Sequence, residues 1–327
     1  MKKKILSFVV LSAALIALVI FATGYGSIDV TYAELMKGLF GEVSNKAAIV
    51  YDLRFPRIFV AILGGAGLAT AGVLFQSVMK NPLADPGIIG VSSGAALASV
   101  IVLQIFPKLY FCMPVISFIG GLIAFMIVYS LCWKEGLNPL RIILTGIAVN
   151  AVFEALNEVF NSISGSNSTN IASLVNANIS MKTWDDVFTL AVYVVIFLIA
   201  ANIAAGKCNI LALEDKTARG LGVDVNGGRL VISIIAVALA SICTSIIGVI
   251  SFLALIVPHI GRLIVGSDHK YLIPFSMILG SFTFLLADTI GRIVAAPNEI
   301  SSSIVMAVIG GPFFIFLLRR SYKNESK

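Results

Sequence analysis

Long apolar runs separated by short polar breaks dominate this chain. Runs over 5–26, 57–79, 91–106, 113–133, 141–163, 187–206, 230–250, 252–266, 272–295 and 303–320 each read as an apolar helix. A bilayer core about 30 Å thick takes roughly 20 such residues per crossing. The pattern predicts an all-α polytopic membrane protein of about ten transmembrane helices, one transmembrane domain over 1–327. The eighth run is the weakest. It is short, contains Pro258 and reaches Arg262 early, so it can be a full span or a re-entrant segment.

Composition agrees: 58% of residues are hydrophobic, 12% are charged, and the mean hydropathy is +1.00. Placing the N-terminus inside puts 16 of the 23 basic residues on cytoplasmic segments, so the positive-inside bias predicts both termini in the cytoplasm. The other seven are Lys37, Lys46, Arg54, Arg57, Lys108, Lys182 and Arg292. The net charge of +6 then reflects topology, and nucleic acid is not an expected partner. Lys2 to Lys4 before an apolar run could open a signal peptide, but the run is long and lacks a small-x-small exit, so an uncleaved first span is expected. Four scattered cysteines show no metal-ligand spacing, and His259 has no second ligand nearby, so no metal site is expected.

Three polar interruptions carry the candidate chemistry. The stretch NPLADPGIIGVSSGA, residues 81–95, follows the second run. Pro82 and Pro86 remove backbone donors and push Asn81 and Asp85 out of helical geometry, and Gly87 adds a small surface, which predicts a structural elbow. On the fifth run, Asn150, Glu154, Asn157, Glu158 and Asn161 are spaced to share one helical face. Carboxylates facing lipid are costly, so this stripe should meet water, protein or a pathway. Between the sixth and seventh runs, LALEDKTARGLGVDVNGGR (211–229) holds a short amphipathic segment with a glycine stop. Leu213, Thr217, Ala218 and Leu221 can form its apolar face, with Glu214, Asp215, Lys216 and Arg219 around it. Asp288 and Arg292, four apart, can pair along one helix.

Four segments together resemble a known family: DLRFPRIFVAILGGAGLATAGVLFQSVMKNPLADPGIIGVSSGAA (52–96), ARGLGVDV (218–225), FLALIVPHIGRLIVGSDHKYLIP (252–274), and LLADTIGRIVAAPNEI with GGPFFIFLLRR (285–320). They are similar, in order and over nearly the whole chain, to the FecCD-type permeases of iron-siderophore, haem and cobalamin ABC importers. The resemblance implies a type II importer permease in a bacterial cytoplasmic membrane and a second permease subunit, identical or different. It also implies two ATP-binding subunits and an extracytoplasmic substrate-binding protein. The cargo it implies is an iron-bearing chelate, a ferric siderophore or haem, with cobalamin as an alternative.

By the same resemblance the loop at about 207–229, with Leu213, Glu214, Thr217, Ala218, Arg219, Leu221 and Gly222, seats on the ATPase, and the fifth span lines the passage. Arg54, Arg57 and Arg292 would receive acidic groups of the binding protein. The acidic pair Glu154 and Glu158 is no part of the family's motif. The residues add that no G-x-x-x-x-G-K-[ST] phosphate loop occurs, so ATP and magnesium would be held by a partner and this chain carries no cofactor or covalent catalysis. A proton-coupled secondary transporter using Glu154 and Glu158 is the rival reading.

Overall fold

The computed structural model describes residues 2–25, 48, 50–133, 139–164, 177, 179–296 and 298–325. Eleven α-helices run through these residues: α1 (Lys2–Gly24), α2 (Phe55–Val78), α3 (Val91–Ile105), α4 (Met113–Trp133), α5 (Pro139–Ser164), α6 (Trp184–Leu211), the short α7 (Asp215–Gly220), α8 (Val225–Ile247), α9 (Leu253–Val265), α10 (His269–Val294) and α11 (Ser302–Glu325). Every apolar run of the sequence becomes one of them. Among the described residues seven helices are long and apolar enough to cross a membrane, and three shorter apolar helices accompany them.

Two of the boundaries that differ from the hydropathy reading have clear local reasons. The sixth helix begins at Trp184 rather than 187, because Asp186 Oδ2 accepts the Thr183 backbone N–H at 2.9 Å and so caps the first turn. The eighth ends at Ile247, where Gly248 adopts a φ of 79°. The five-residue break that follows leads into α9, whose 13 residues span only about 20 Å at 1.5 Å per residue. Non-helical backbone among apolar helices must be covered by protein. Here Ile250 is buried, and the Ser303 hydroxyl donates to the Val249 carbonyl at 3.2 Å.

Helix α2 is the centre of the bundle, packed against α10, α8, α6 and α9. Its sequence explains this position, since Gly64, Gly65, Gly67 and Gly72 leave its surface without side chains where neighbours approach. A Cβ on Gly65 would collide with the Gly280 carbonyl of α10, and one on Gly72 with the Ala254 carbonyl of α9. Helix α3 packs on α4, α5 and α8, and α5 stands at the edge of the bundle against α3 and α4. Helix α1 leans on α10, with Phe8 meeting Phe275 edge-on at 5.2 Å.

Side-chain contacts sort the connections between helices into two ends. At one end Lys80 reaches α7, Asn209 reaches Asp268, and Lys4 lies over the Tyr271 ring. At the other, Arg54 reaches Thr23, Arg57 reaches Glu299, and Trp184 reaches Tyr51. This division follows the alternation that hydropathy predicts.

Because helices meet at α2 through backbone atoms, added volume there has nowhere to go. Gly72→Ala should destabilise the fold by about 1–3 kcal/mol and Gly72→Val by more, read as thermal unfolding in detergent. Substitution at Gly206, where nothing lies within 4 Å, should leave the midpoint unchanged.

Candidate functional site

The elbow after α2 is built by the side-chain oxygens of Asn81 and Asp85. Asn81 Oδ1 accepts the Leu83 N–H at 2.9 Å, and Asp85 Oδ1 accepts the Gly87 N–H at 2.7 Å. These bonds replace the helical partners that Pro82 and Pro86 interrupt. The elbow seats on α5: a Cβ at Gly146 would meet the Ile88 carbonyl at 2.7 Å, and Gly90, at a φ of 84°, lies against the Asn150 backbone. Asp85 is buried, and Oδ2 has no hydrogen-bond partner among the described residues. Burial pushes its carboxyl up to about 6, against the lowering effect of the Gly87 and Ile88 N–H groups.

The polar stripe of α5 divides. Glu154 and Glu158 are exposed, and Asn150 Nδ2 donates to Glu154 Oε1 at 2.9 Å. Asn157 instead turns into the bundle, donating to the Ser93 carbonyl of α3 at 3.2 Å and to the Phe153 carbonyl at 3.0 Å. The side chain of Asn161 lies outside the described residues. Val152, Leu156 and Val159, on the intervening positions, are exposed as well, so α5 presents a broad uncovered face rather than a narrow wet stripe. The stripe therefore does not meet one environment, because α3 captures Asn157.

Helix α7 lies at the Lys80 end, against α6 and α8. Leu213, Glu214, Thr217, Arg219, Leu221 and Gly222 are all exposed, Leu221 by 62%. Ala218 is the exception to the predicted apolar face: it is 1% exposed and packs inward, since a six-residue helix lying on the bundle must turn one side to it. Gly222 supplies the stop at a φ of 77°. Asp224 then caps α8, accepting from the Asn226 and Gly227 N–H groups at 3.1 Å.

At the opposite end the three arginines are drawn inward. Arg57 donates Nε and an Nη to Asp288 at 2.8 to 3.1 Å and its other Nη to Glu299 at 2.8 Å. Its side chain is 8% exposed and that of Asp288 is 1%. Arg54 is buried and donates to the Thr23 carbonyl at 3.0 Å. Arg292 pairs with Asp288 at a longer 3.5 Å and donates to the Ala22 and Tyr25 carbonyls. The predicted local pair of Asp288 and Arg292 thus exists, but Asp288 is held chiefly by Arg57, and the three arginines that the resemblance assigns to docking are engaged within the chain. Burial works to raise the Glu299 carboxyl, but the Arg57 guanidinium and the Ser180 hydroxyl hold it below the usual carboxylate range. Glu299 is the residue that sequence reasoning missed. Its place, seven residues beyond Arg292 in a helix-to-helix connection, carried no spacing signal.

An apolar helical bundle with a capped elbow, an exposed amphipathic connector and a charged network at the far end defines a multi-pass membrane transport subunit. The chain belongs to the FecCD transport family, whose model matches residues 14–320. It is 37% identical over 325 residues to the "Probable heme-iron transport system permease protein IsdF" of Staphylococcus aureus strain Newman, covering 99% of this chain and 98% of that one. The same protein in strain MSSA476 is 36% identical over 324 residues, with the same shares covered. Among solved structures, a metal-chelate type ABC transporter in an inward-facing conformation superposes with a TM-score of 0.81 and 26% identity, over 97% of this chain and 99% of the other. PsaBC from Streptococcus pneumoniae shares the fold at a TM-score of 0.60 and 17% identity, over 88% and 95%. The fold is that of type II ABC importer permeases.

Two outcomes follow from this geometry. Arg57→Ala leaves Asp288 buried beside only the longer Arg292 contact, so it should destabilise the protein by about 3–5 kcal/mol, and the Arg57→Ala, Asp288→Ala double variant should recover much of that loss. Unfolding in detergent checks both. For Asp85, the folded state keeps its proton up to about 6 while an unfolded carboxyl releases it near 3.8. Its contribution is therefore largest at acid pH and is lost as pH rises through that window. The stability difference between wild type and Asp85→Asn should fall between about pH 4 and 6 and stay level from pH 7 upward.

Proposed function

We propose that this chain is the permease subunit of a binding-protein-dependent ABC importer that brings an iron chelate into the cytoplasm by alternating access, with haem the favoured cargo. The observation that carries the cargo is the near full-length relation to a protein named for heme-iron transport. A ferric siderophore or cobalamin is the alternative. The subunit works in a bacterial cytoplasmic membrane, with both termini inside, as one permease domain. A second permease copy, the same or a related chain, covers the open face of α5, so that Glu154 and Glu158 border a passage rather than lipid.

Force comes from two ATP-binding subunits that hold ATP and magnesium, because the chain has no phosphate loop of its own. They seat on α7 and its flanks, where Leu213 and Leu221 are exposed apolar groups within a polar surround. Closure of the ATPases moves these seats, and the helices around the passage reorient. An extracytoplasmic binding protein docks at the arginine end. Glu299 already occupies one side of Arg57, so a docking carboxylate there has to displace a group that is partly exposed. Docking through Arg54 and Arg292 likewise requires them to turn outward from backbone carbonyls.

The decisive experiment reconstitutes the permease with its ATPase and binding protein in liposomes and follows uptake of haem and of ferric siderophores. Accumulation driven by a proton gradient without ATPase would favour the secondary-transporter reading. Leu221→Asp places a carboxylate in the apolar seat. It should reduce ATPase co-purification by roughly tenfold, the equivalent of about 1.4 kcal/mol, while leaving the permease folded. Normal co-purification and uptake would show that α7 is not the seat.

A further inference from the structure

Three charged side chains join α7 to the core at one point. Asp215 Oδ1 accepts from Lys80 Nζ at 2.7 Å and from an Arg229 Nη at 2.8 Å, and its Oδ2 accepts from the other Arg229 Nη at 3.2 Å. Lys80 also donates to the Leu213 carbonyl, so it grips the connector on both sides of the Glu214 N-cap. The Lys80 hydrogen bond draws the Asp215 carboxyl below its usual range, and Arg229 adds to this.

Lys80 stands two residues beyond the end of α2, the most buried long helix of the bundle. Its backbone is in the left-handed region at a φ of 48°, a conformation that disfavours a residue with a Cβ. The last turn of α2 is itself anchored. The Ser77 hydroxyl donates to the Cys208 carbonyl of α6 at 3.2 Å, and Gln76 donates to the Ala254 carbonyl of α9 at 3.4 Å. The covalent links of α7 are looser by comparison. On its C-terminal side they pass through Gly222, which has a φ of 77° and no neighbour within 4 Å of a Cβ position.

From this arrangement we propose that Lys80 is the positioning residue that passes displacement of α7 to α2, with Arg229 holding Asp215 in place to receive it. The inference rests on α7 being the ATPase seat. The covalent link through Gly222 is compliant, so a push on α7 is carried by Asp215 through two ionic struts, Lys80 at the end of α2 and Arg229 near the start of α8. The Lys80 strut delivers its share of the motion to α2, the helix that contacts α10, α8, α6 and α9 together.

The test uses the assembled transporter, with the four cysteines of this chain replaced by serine and Leu53→Cys added as a reporter. Leu53 is exposed at the far end of α2, in the turn of π-helix Val50–Arg54 that leads into it. The readout is the change in reaction rate with a membrane-impermeant thiol reagent on trapping with ATP and vanadate. Lys80→Ala should retain ATPase binding and hydrolysis while the trapping-dependent change at the reporter falls by about fivefold or more, and Lys80→Arg should restore most of it. An unchanged reporter response in Lys80→Ala overturns the proposal. Loss of ATPase co-purification in Lys80→Ala also overturns it, since Lys80 would then shape the seat rather than transmit from it. Failure of the seat itself is read separately, as normal ATPase co-purification in Leu221→Asp.

Discussion

Helices in lipid gain little from the hydrophobic effect when they associate, because the surrounding chains are as apolar as their side chains. What holds this bundle is the close approach of backbones at α2. Gly65 meets Gly280 of α10, and Gly72 meets Ala254 of α9, with no side chain between. These two contacts fix the depth at which α9 lies and the line along which α10 crosses. Everything at the two ends of the bundle inherits its position from them. Asp288 can meet Arg57 because α10 is seated on α2, and Gln76 can reach the Ala254 carbonyl because α9 is.

The two ends are wired differently. At the Arg57 end the central pair of Arg57 and Asp288 is buried and held by several hydrogen bonds, a geometry that resists change. At the Lys80 end they are more exposed and converge on a short helix with a glycine hinge. A transport subunit can use this asymmetry if force arrives at the Lys80 end, since the hinge lets the short helix move while its ion pairs keep it joined to the bundle. Asp85 lies between these regimes, a buried carboxyl in the elbow that joins the core helix α2 to the helix supporting α5.

Sequence patterning reached the helices, the elbow and the amphipathic connector because each depends on residues near in the chain. Proline placement, glycine stops and apolar runs act over a few positions. The polar stripe of α5 was read correctly as to spacing but not as to partners: nothing in the fifth run says that Ser93 of α3 will take Asn157 and leave Glu154. The inward turn of Ala218 was hidden for a similar reason, since amphipathicity identifies an apolar side of a helix without saying which residues the bundle will cover. The pairing of Arg57 with Asp288 and Glu299 joins positions 231 and 242 residues apart, and no local pattern encodes it.

That separation has a consequence for biogenesis. At about 5–20 residues per second, Asp288 is synthesised roughly 12 to 46 seconds after Arg57. Through that interval the second span carries a guanidinium at its start with no counter-ion from α10. Its long aliphatic stem allows it to reach the membrane surface and stay hydrated while it waits. The pairing with Asp288 becomes available only when the ninth apolar helix inserts, so the end of the bundle that carries Arg57 is closed late in synthesis.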